Sequence, residues 1–395
     1  MTTAAAVAVA AQAGAATVSH SVPSRGASAS AGAPRLVLPP PGGAHQIGTV
    51  ALHLVDSARR DPYDPARRPR ELMVQLWYPA AHTGGYPRAP WLSPQLAAEA
   101  FADPRIRPPV THGHSGAPVD RRGGTRPVVL YSHGFGGHRG EATALVEELV
   151  SRGYVVATID HPYDAVGVEF PGGRVVPHTM EPPNFDDPAD PVATRAVAVR
   201  AADARFVLDR LTALNAGRNP DAAGREVPVG LRGALSLSRV AMVGHSLGGA
   251  ATLAAMRADR RIRAGVNLDG ALFGPVLASG LNRPVLLLGS TGHDRHTDPS
   301  WAAVWPKLRG GRLNLELAGS GHASFTDAQV LDPQAAKILG IPREQLTPGI
   351  GTIDGPRSVA VQRAYLSAFL DAHLRDGPRK LVSGPSPRYP EMVFP

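Results

Sequence analysis

After residue 126 the chain alternates short apolar runs with helix-length stretches, a pattern that few architectures accept. The runs are P-V-V-L-Y-S at 127–132, V-V-A-T-I-D at 155–160, V-A-M-V-G at 240–244, A-G-V-N-L-D at 264–269 and P-V-L-L-L-G at 284–289. Each is continuously apolar, so a strand built from it must be covered on both faces. Helical patterns occupy about 139–152, 192–214, 247–258 and 357–374. Strand, helix and strand in that order make parallel βαβ units. The expectation is an α/β fold, a mostly parallel central sheet with helices on both faces, in one domain over 46–395. Two earlier β-like runs, 48–55 and 71–78, open the sheet; the second alternates and ends in aromatics, as half-buried antiparallel strands do.

The ends of this domain differ in texture. Residues 1–16 are Ala/Val-rich, and Ala8-Val9-Ala10 and Ala27-Ser28-Ala29 have the small-residue form that signal peptidases accept. The basic stretch that normally precedes such a segment is missing, so residues 1–45 are read as an atypical or truncated export signal followed by a Ser/Gly/Ala/Pro linker from about 19 to 44. Secretion is the expected location. A second Pro/Gly-rich stretch, 161–190, follows the end of a strand, where ligands bind in sheets of this kind, and either lines or covers the substrate site or is an idle surface insertion.

Charge excludes less than it suggests. The net charge of +8 invites nucleic acid or an anionic surface as partner, but the arginines are scattered singly or in pairs such as Arg59-Arg60 and Arg121-Arg122. A solvated basic surface with no nucleic-acid partner is expected, leaving room for transient contact with a lipid surface. The absence of cysteine removes thiol catalysis, disulfides and cysteine metal sites together.

Chemistry concentrates in a few short segments. Gly244 to Gly248 reads G-H-S-L-G, but with 43 glycines in the chain a G-x-S-x-G match arises by chance roughly once in four such sequences. Context raises its weight: an apolar strand ends at Gly244 and a small-residue helix begins after Leu247, the strand–turn–helix that a nucleophile elbow requires. Ser246 is therefore the candidate nucleophile. A serine hydroxyl needs a base to take its proton, and among 15 histidines His322 stands in the loop after the last apolar strand, 313–317. His133 and His245 read as structural, His373 as a surface residue of the last helix, and His161 and His178 as candidate substrate contacts.

Two acids stand at strand ends in the required Ser–Asp–His order. Asp269 closes the strand after the nucleophile helix, and Asp294 follows the next strand, with Asp298 beyond it. The cluster His293, Asp294 and His296 raises a metal site, which no further ligand pattern supports, and no metal or cofactor is expected. Backbone amides must hold the developing oxyanion; Leu247, just after the serine, supplies one and Phe135, in S-H-G-F-G-G at 132–137, the other.

With these residues in place, the chain resembles the plasma and intracellular type II platelet-activating factor acetylhydrolases and their bacterial secreted relatives. The resemblance spans about 70–325 and rests on E-L-M-V-Q-L-W-Y-P, V-V-L-Y-S-H-G-F-G-G-H-R, G-H-S-L-G-G-A, N-L-D-G-A-L-F and G-S-G-H-A-S-F-T-D, in that order. The family shows S-H-G-[LF]-G and G-H-S-F-G-G at the corresponding motifs. The resemblance implies the α/β-hydrolase fold and hydrolysis of short or oxidised acyl esters, on phospholipids or other alcohols, without a metal or cofactor. It also implies an acid in the element Leu268-Asp269-Gly270-Ala271-Leu272-Phe273, which favours Asp269. Cutinase-like lipases and polyester hydrolases share G-H-S-x-G-G and take the later acid, so Asp294 stays the alternative and such a lipase the runner-up. A hydrolase-fold binding protein without activity is the reading from another class. The chain departs from the acetylhydrolases at Leu247, where they often carry Phe, and in its 161–190 insertion.

Overall fold

The computed structural model describes residues 32–395. The Ala/Val-rich leader, both small-residue sites and the first part of the expected linker lie outside the described residues.

Two antiparallel strands open the sheet, β1 (Gln46–Arg60) and β2 (Pro69–Ala80), and β3 (Arg88–Pro90), α1 (Pro94–Ala100) and β4 (Val110–Ser115) complete that edge. The wound part begins with β5 (Arg126–Ser132), α2 (Thr143–Ser151) and β6 (Val155–Asp160). A small hairpin, β7 (Gly167–Glu169) and β8 (Val175–Pro177), interrupts it before α3 (Pro191–Asn215), β9 (Leu235–His245), α4 (Leu247–Ala258) and β10 (Ile262–Leu268). The last third holds α5 (Val276–Ser279), β11 (Val285–Gly289), α6 (Pro299–Val304), β12 (Arg312–Leu317), α7 (Ala328–Leu339), α8 (Thr347–Ile350), α9 (Gly355–Leu374) and β13 (Met392–Val393). The eleven-stranded sheet has the order β13-β12-β11-β10-β9-β5-β6-β2-β1-β4-β3. Its centre, β12 through β6, is parallel throughout.

Alternation along the central strands divides the core. Val128 and Leu130 of β5, and Val240 and Met242 of β9, face a layer made with α3, α4 and α6. Val129, Tyr131, Ala241 and Val243 face the opposite way, onto α2 and α9. Both faces of each strand are covered, which is why these runs are continuously apolar. The architecture is the expected one, α/β with a mostly parallel sheet between two helical layers. Parallel strands all end on one side, and there the turns after β5, β9, β10, β11 and β12 converge.

The linker needs correction at its far end. Leu36 and Leu38 are buried against Ile106, Ala144, Leu331 and Val359. The strip is tied down by Gln334, which both accepts from the Val37 amide and donates to the Val37 carbonyl, and by Arg363, which donates to the carbonyls of Pro39 and Pro40. A proline run loses little entropy on ordering, so two buried leucines and a few side-chain bonds hold it. The folded unit therefore begins before residue 46.

Candidate active site

Ser246 is the single residue between β9 and α4, and its backbone shows the cost of that turn: φ is 53° and ψ is −123°. Non-glycine residues avoid this region, and the chain holds one there only because neighbours leave no alternative. A side chain on Gly244 would start 2.1 Å from the Gly248 carbonyl oxygen, and one on Gly248 would start 2.1 Å from that of Ser132. A Cβ at Gly270 would likewise lie 2.1 Å from the Ser246 carbonyl oxygen. The Ser246 amide donates to Leu268 O at 2.8 Å, which ties the turn to β10.

Asp269 follows β10, also at positive φ (57°). Asn267 locks that turn by donating to Gly270 O at 2.6 Å and accepting from Gly270 N at 3.0 Å. One Asp269 oxygen, Oδ2, lies 2.7 Å from His322 Nδ1; the other, Oδ1, takes the Ser290 amide at 2.6 Å and His293 Nδ1 at 2.7 Å. Burial would push this carboxyl up, but the bonds from His293 and His322 outweigh it and hold Asp269 well below the usual carboxylate range. His322 begins a short 3₁₀ turn after β12, and His245 supports it: His245 Nε2 lies 3.1 Å from His322 O and the two rings sit 4.6 Å apart. With Nδ1 turned to a carboxylate, the His322 ring carries its proton there and leaves Nε2 as an acceptor, which has no partner among the described residues.

Ser246, Asp269 and His322 line one cavity of about 590 Å³, together with Phe185, Asp186 and Pro188 of the insertion. The insertion thus lines the site and is not an idle surface loop. Asp294 is not in it. Its carboxylate caps its own turn, accepting from His296 N at 2.6 Å and Thr297 N at 3.0 Å, and has no contact with His322. Asp298 caps α6 through the amides of Ser300 and Trp301. Among the described residues no group of three or more His, Cys, Asp or Glu is arranged to hold a metal ion. His293, raised above as part of such a cluster, has both ring nitrogens engaged by carboxylates.

The two amides singled out in the sequence are both unclaimed. Leu247 is the first residue of α4, so its N–H has no acceptor within the helix and takes none elsewhere among the described residues. In the turn after β5, Gly134 N donates to Glu141 Oε1 at 2.8 Å, Gly136 N to Asp164 O at 3.0 Å and Gly137 N to Gly134 O at 3.1 Å. Phe135 N alone in that run has no partner among the described residues. Its direction is fixed from behind by Arg200 of α3, whose guanidinium donates to the carbonyls of His133 and Gly134 and forks onto Asp164 at 2.6 Å through both Nε and Nη2. A peptide unit is planar, so holding the Gly134 oxygen aims the Phe135 N–H the opposite way.

The remaining histidines divide by burial. His161 is wholly buried between Asp203, 2.9 Å from Nδ1, and Ser132 Oγ, 2.9 Å from Nε2, so it does not contact substrate, against expectation. His178 lies edge-on to the Phe135 ring at 5.0 Å and is not among the cavity residues. His133 is structural, as read: it is buried, and burial together with the Arg200 charge lowers it to about 4. His373 is half-buried against Phe369 and not a plain surface residue.

The likeness noted in the sequence extends to the whole domain. A family model described as platelet-activating factor acetylhydrolase, isoform II, matches residues 106–376. The chain belongs to this family. A probable 1-alkyl-2-acetylglycerophosphocholine esterase of Arthroderma benhamiae is 28% identical, covering 91% of this chain and 93% of that protein. The platelet-activating factor acetylhydrolase of Cavia porcellus is 23% identical over 76% of this chain and 72% of its own. A solved structure of a ferulic acid esterase from Streptomyces cinnamoneus superposes with a TM-score of 0.76 at 38% identity, covering 91% of this chain and 99% of that one. This member of the acetylhydrolase family is a serine-type ester hydrolase.

Sequence reasoning missed Arg200, Asp164, Glu141 and His293. The first three sit in no motif, because each acts on a partner brought near only by folding. His293 and Asp298 carried a readable cue: Asp298-Pro299 is an N-cap followed by proline at the first helical position, which assigns Asp298 to a helix start.

Proposed function

We propose that the chain hydrolyses esters of short acyl groups through an acyl-enzyme on Ser246. The observation that carries this reading is the His322 ring, whose Nδ1 is held by Asp269 while Nε2 is left free beside the cavity that Ser246 lines. Ser246 Oγ attacks the ester carbonyl carbon as His322 Nε2 takes its proton. The amides of Phe135 and Leu247 receive the oxyanion. The tetrahedral intermediate collapses, and the alcohol leaves with the proton from His322. Water, deprotonated by the same nitrogen, attacks the acyl-enzyme and releases the carboxylic acid and free Ser246. Every proton and electron pair in this cycle is supplied by ester, water and protein, so no cofactor enters.

Two observations favour small esters free in solution over an insoluble substrate. The cavity residues include no lysine or arginine to meet a phosphate. Among the described residues the exposed large apolar side chains are Val37, Val229 and Val393, separate positions that make no patch for an interface. Acetyl esters fit this reading, and acetyl is the acyl group of the substrate named for the fungal relative, although its phosphocholine head would meet no cation among the cavity residues. An aromatic acyl group is the second reading, favoured by the Phe185 ring that lines the cavity and is held edge-on by Phe135 and Phe273 at 6.0 and 6.3 Å behind it.

The test is kcat/KM across p-nitrophenyl esters from acetate to palmitate, with methyl ferulate alongside and a fluorophosphonate probe to report on Ser246. Short esters are expected to exceed palmitate by about tenfold or more, since one methylene misplaced from an apolar pocket already costs about 1 kcal/mol or more. A maximum at palmitate transfers the chain to the lipases. A rate for methyl ferulate well above that for acetate selects the aromatic reading, and failure of the probe to label Ser246 removes the catalytic reading altogether.

A further inference from the structure

We propose that His293 is a positioning residue for the acid of the site: an imidazolium clamped between Asp269 and Asp298 that holds the Asp269 carboxylate toward His322 and offsets part of its charge. The inference rests on the catalytic reading above and extends it by one pair of residues.

The argument starts from hydrogen-bond inventory. His293 Nδ1 lies 2.7 Å from Asp269 Oδ1 and Nε2 lies 2.8 Å from Asp298 Oδ2. A neutral imidazole has one N–H, so it would leave one nitrogen lone pair facing a carboxylate oxygen at contact distance. Only the doubly protonated ring satisfies both ends. The ring is held in place by the loop it belongs to, with His293 N donating to Ser290 O at 2.9 Å, and by Trp301 of α6 stacked on it at 4.3 Å and 29°. Gly289 makes that loop possible, because a Cβ there would begin 1.8 Å from His293 O. The charged groups facing His293 are Asp269 from the β10 turn and Asp298 from the start of α6; His322 reaches it only through the other oxygen of Asp269. Burial lowers His293 and the two carboxylates raise it, and the carboxylates win, to about 9.

Two consequences follow. Asp269 takes donors on both oxygens and cannot rotate away from His322 without breaking a charge-assisted bond. The negative charge of Asp269 is also partly offset by the His293 ring on its other oxygen. The stability sign follows from the raised value. The protonated form is favoured in the folded state, so its contribution is complete below the unfolded value of about 6.5 and is lost as pH rises through about 9.

Asp298→Asn is the sharper variant. Its Oδ1 still caps α6, while an amide NH₂ in place of Oδ2 donates to His293 Nε2 and leaves the ring neutral. His293→Gln removes the positive charge and leaves Asp298 uncompensated. kcat for p-nitrophenyl acetate is expected to fall in both with KM little changed, on the order of tenfold in His293→Gln and less in Asp298→Asn, because a loosened Asp269 misplaces the base only for the transition state. In wild type labelled with ¹⁵N-histidine, the His293 ring should show two protonated nitrogens at pH 7 and titrate near pH 9, and in Asp298→Asn it should show one. The loss of stability from pH 7 to 10 should be smaller in Asp298→Asn than in wild type. A single protonated nitrogen on His293 in wild type at pH 7 overturns the proposal, whether or not either variant folds. So does wild-type kcat in both variants while Ser246→Ala is inactive. Turnover persisting in Ser246→Ala would instead overturn the catalytic reading, and the nitrogen signals would still decide the state of His293.

Discussion

Ser246→Ala is expected to lower kcat for p-nitrophenyl acetate about 10⁶-fold, and His322→Ala by a similar factor, because nucleophile and base act as one unit and losing either loses both. Asp269→Asn should cost about 10⁴-fold without unfolding the protein. The reason is in the donor list. Asp269 Oδ2 accepts from His322 Nδ1 at 2.7 Å. An asparagine NH₂ there can only donate, which drives the ring proton to Nε2, and that nitrogen then cannot take the proton from Ser246. Asp294→Asn should stay within about twofold of wild type, since its carboxylate is spent on the amides of its own turn and an asparagine oxygen can accept those bonds as well. Steady-state kinetics of the four variants, with circular dichroism to confirm folding, make the check. Loss of turnover in Asp294→Asn with turnover retained in Asp269→Asn would reverse the assignment of the acid.

How far the sequence reached depends on the range of the interactions. The continuously apolar runs declared β5, β6, β9, β10 and β11 because a strand covered on both faces has no solvent-facing positions to mark with polar residues. The helix pattern at 247–258 coincides with α4, where the glycines at 248 and 249 record a close approach to the turn after β5 and to Asn267. Residues 32–44 misled because Pro and Gly composition signals low capacity for burial in general, whereas two leucines two positions apart are enough when a groove already exists to receive them. At the site, Ser246, His322 and the Phe135 turn were legible because each sits in a local backbone motif. The choice between Asp269 and Asp294 was not decided by the residues themselves, since both follow strands in the same order and only the turn geometry separates them. Arg200 was beyond reach: its partner lies 36 residues away in sequence, and nothing local marks a side chain whose role is to hold another, whereas His293 stood in a visible cluster whose purpose only the fold could assign.

That hidden layer yields the second large effect. Arg200 is 1% exposed and its partner Asp164 is 2% exposed, so Arg200→Met strands a carboxylate in the interior and is expected to cost about 3–5 kcal/mol of stability. Asp164 is now held below its usual range: burial raises it, and the Arg200 charge and hydrogen bonds outweigh burial. Without the guanidinium, burial faces only the weaker pull of His133 and His161, and the carboxyl should take up a proton at a pH where the wild type has none. The stability deficit of Arg200→Met should accordingly shrink as pH is lowered toward the value at which Asp164 is neutral. Activity should fall separately. The carbonyls of His133 and Gly134 both take the Arg200 guanidinium, and its loss leaves the Gly134 oxygen held only by Gly137 N and the His133 ring, which loosens the Phe135 N–H aimed from the same peptide. Loss of one oxyanion donor is worth about 10²-fold or more in kcat, with KM little changed because the donor meets charge only in the transition state. Asp164→Asn tests the other half. It keeps Arg200 and its grip on the two carbonyls but removes the countercharge, so stability should fall while kcat per folded molecule stays closer to wild type than in Arg200→Met. Equilibrium urea unfolding and kcat on both variants and the double variant separate the two roles. Equal kcat in Arg200→Met and wild type would mean that the β5 turn holds the Phe135 amide unaided, and that Arg200 serves the fold alone.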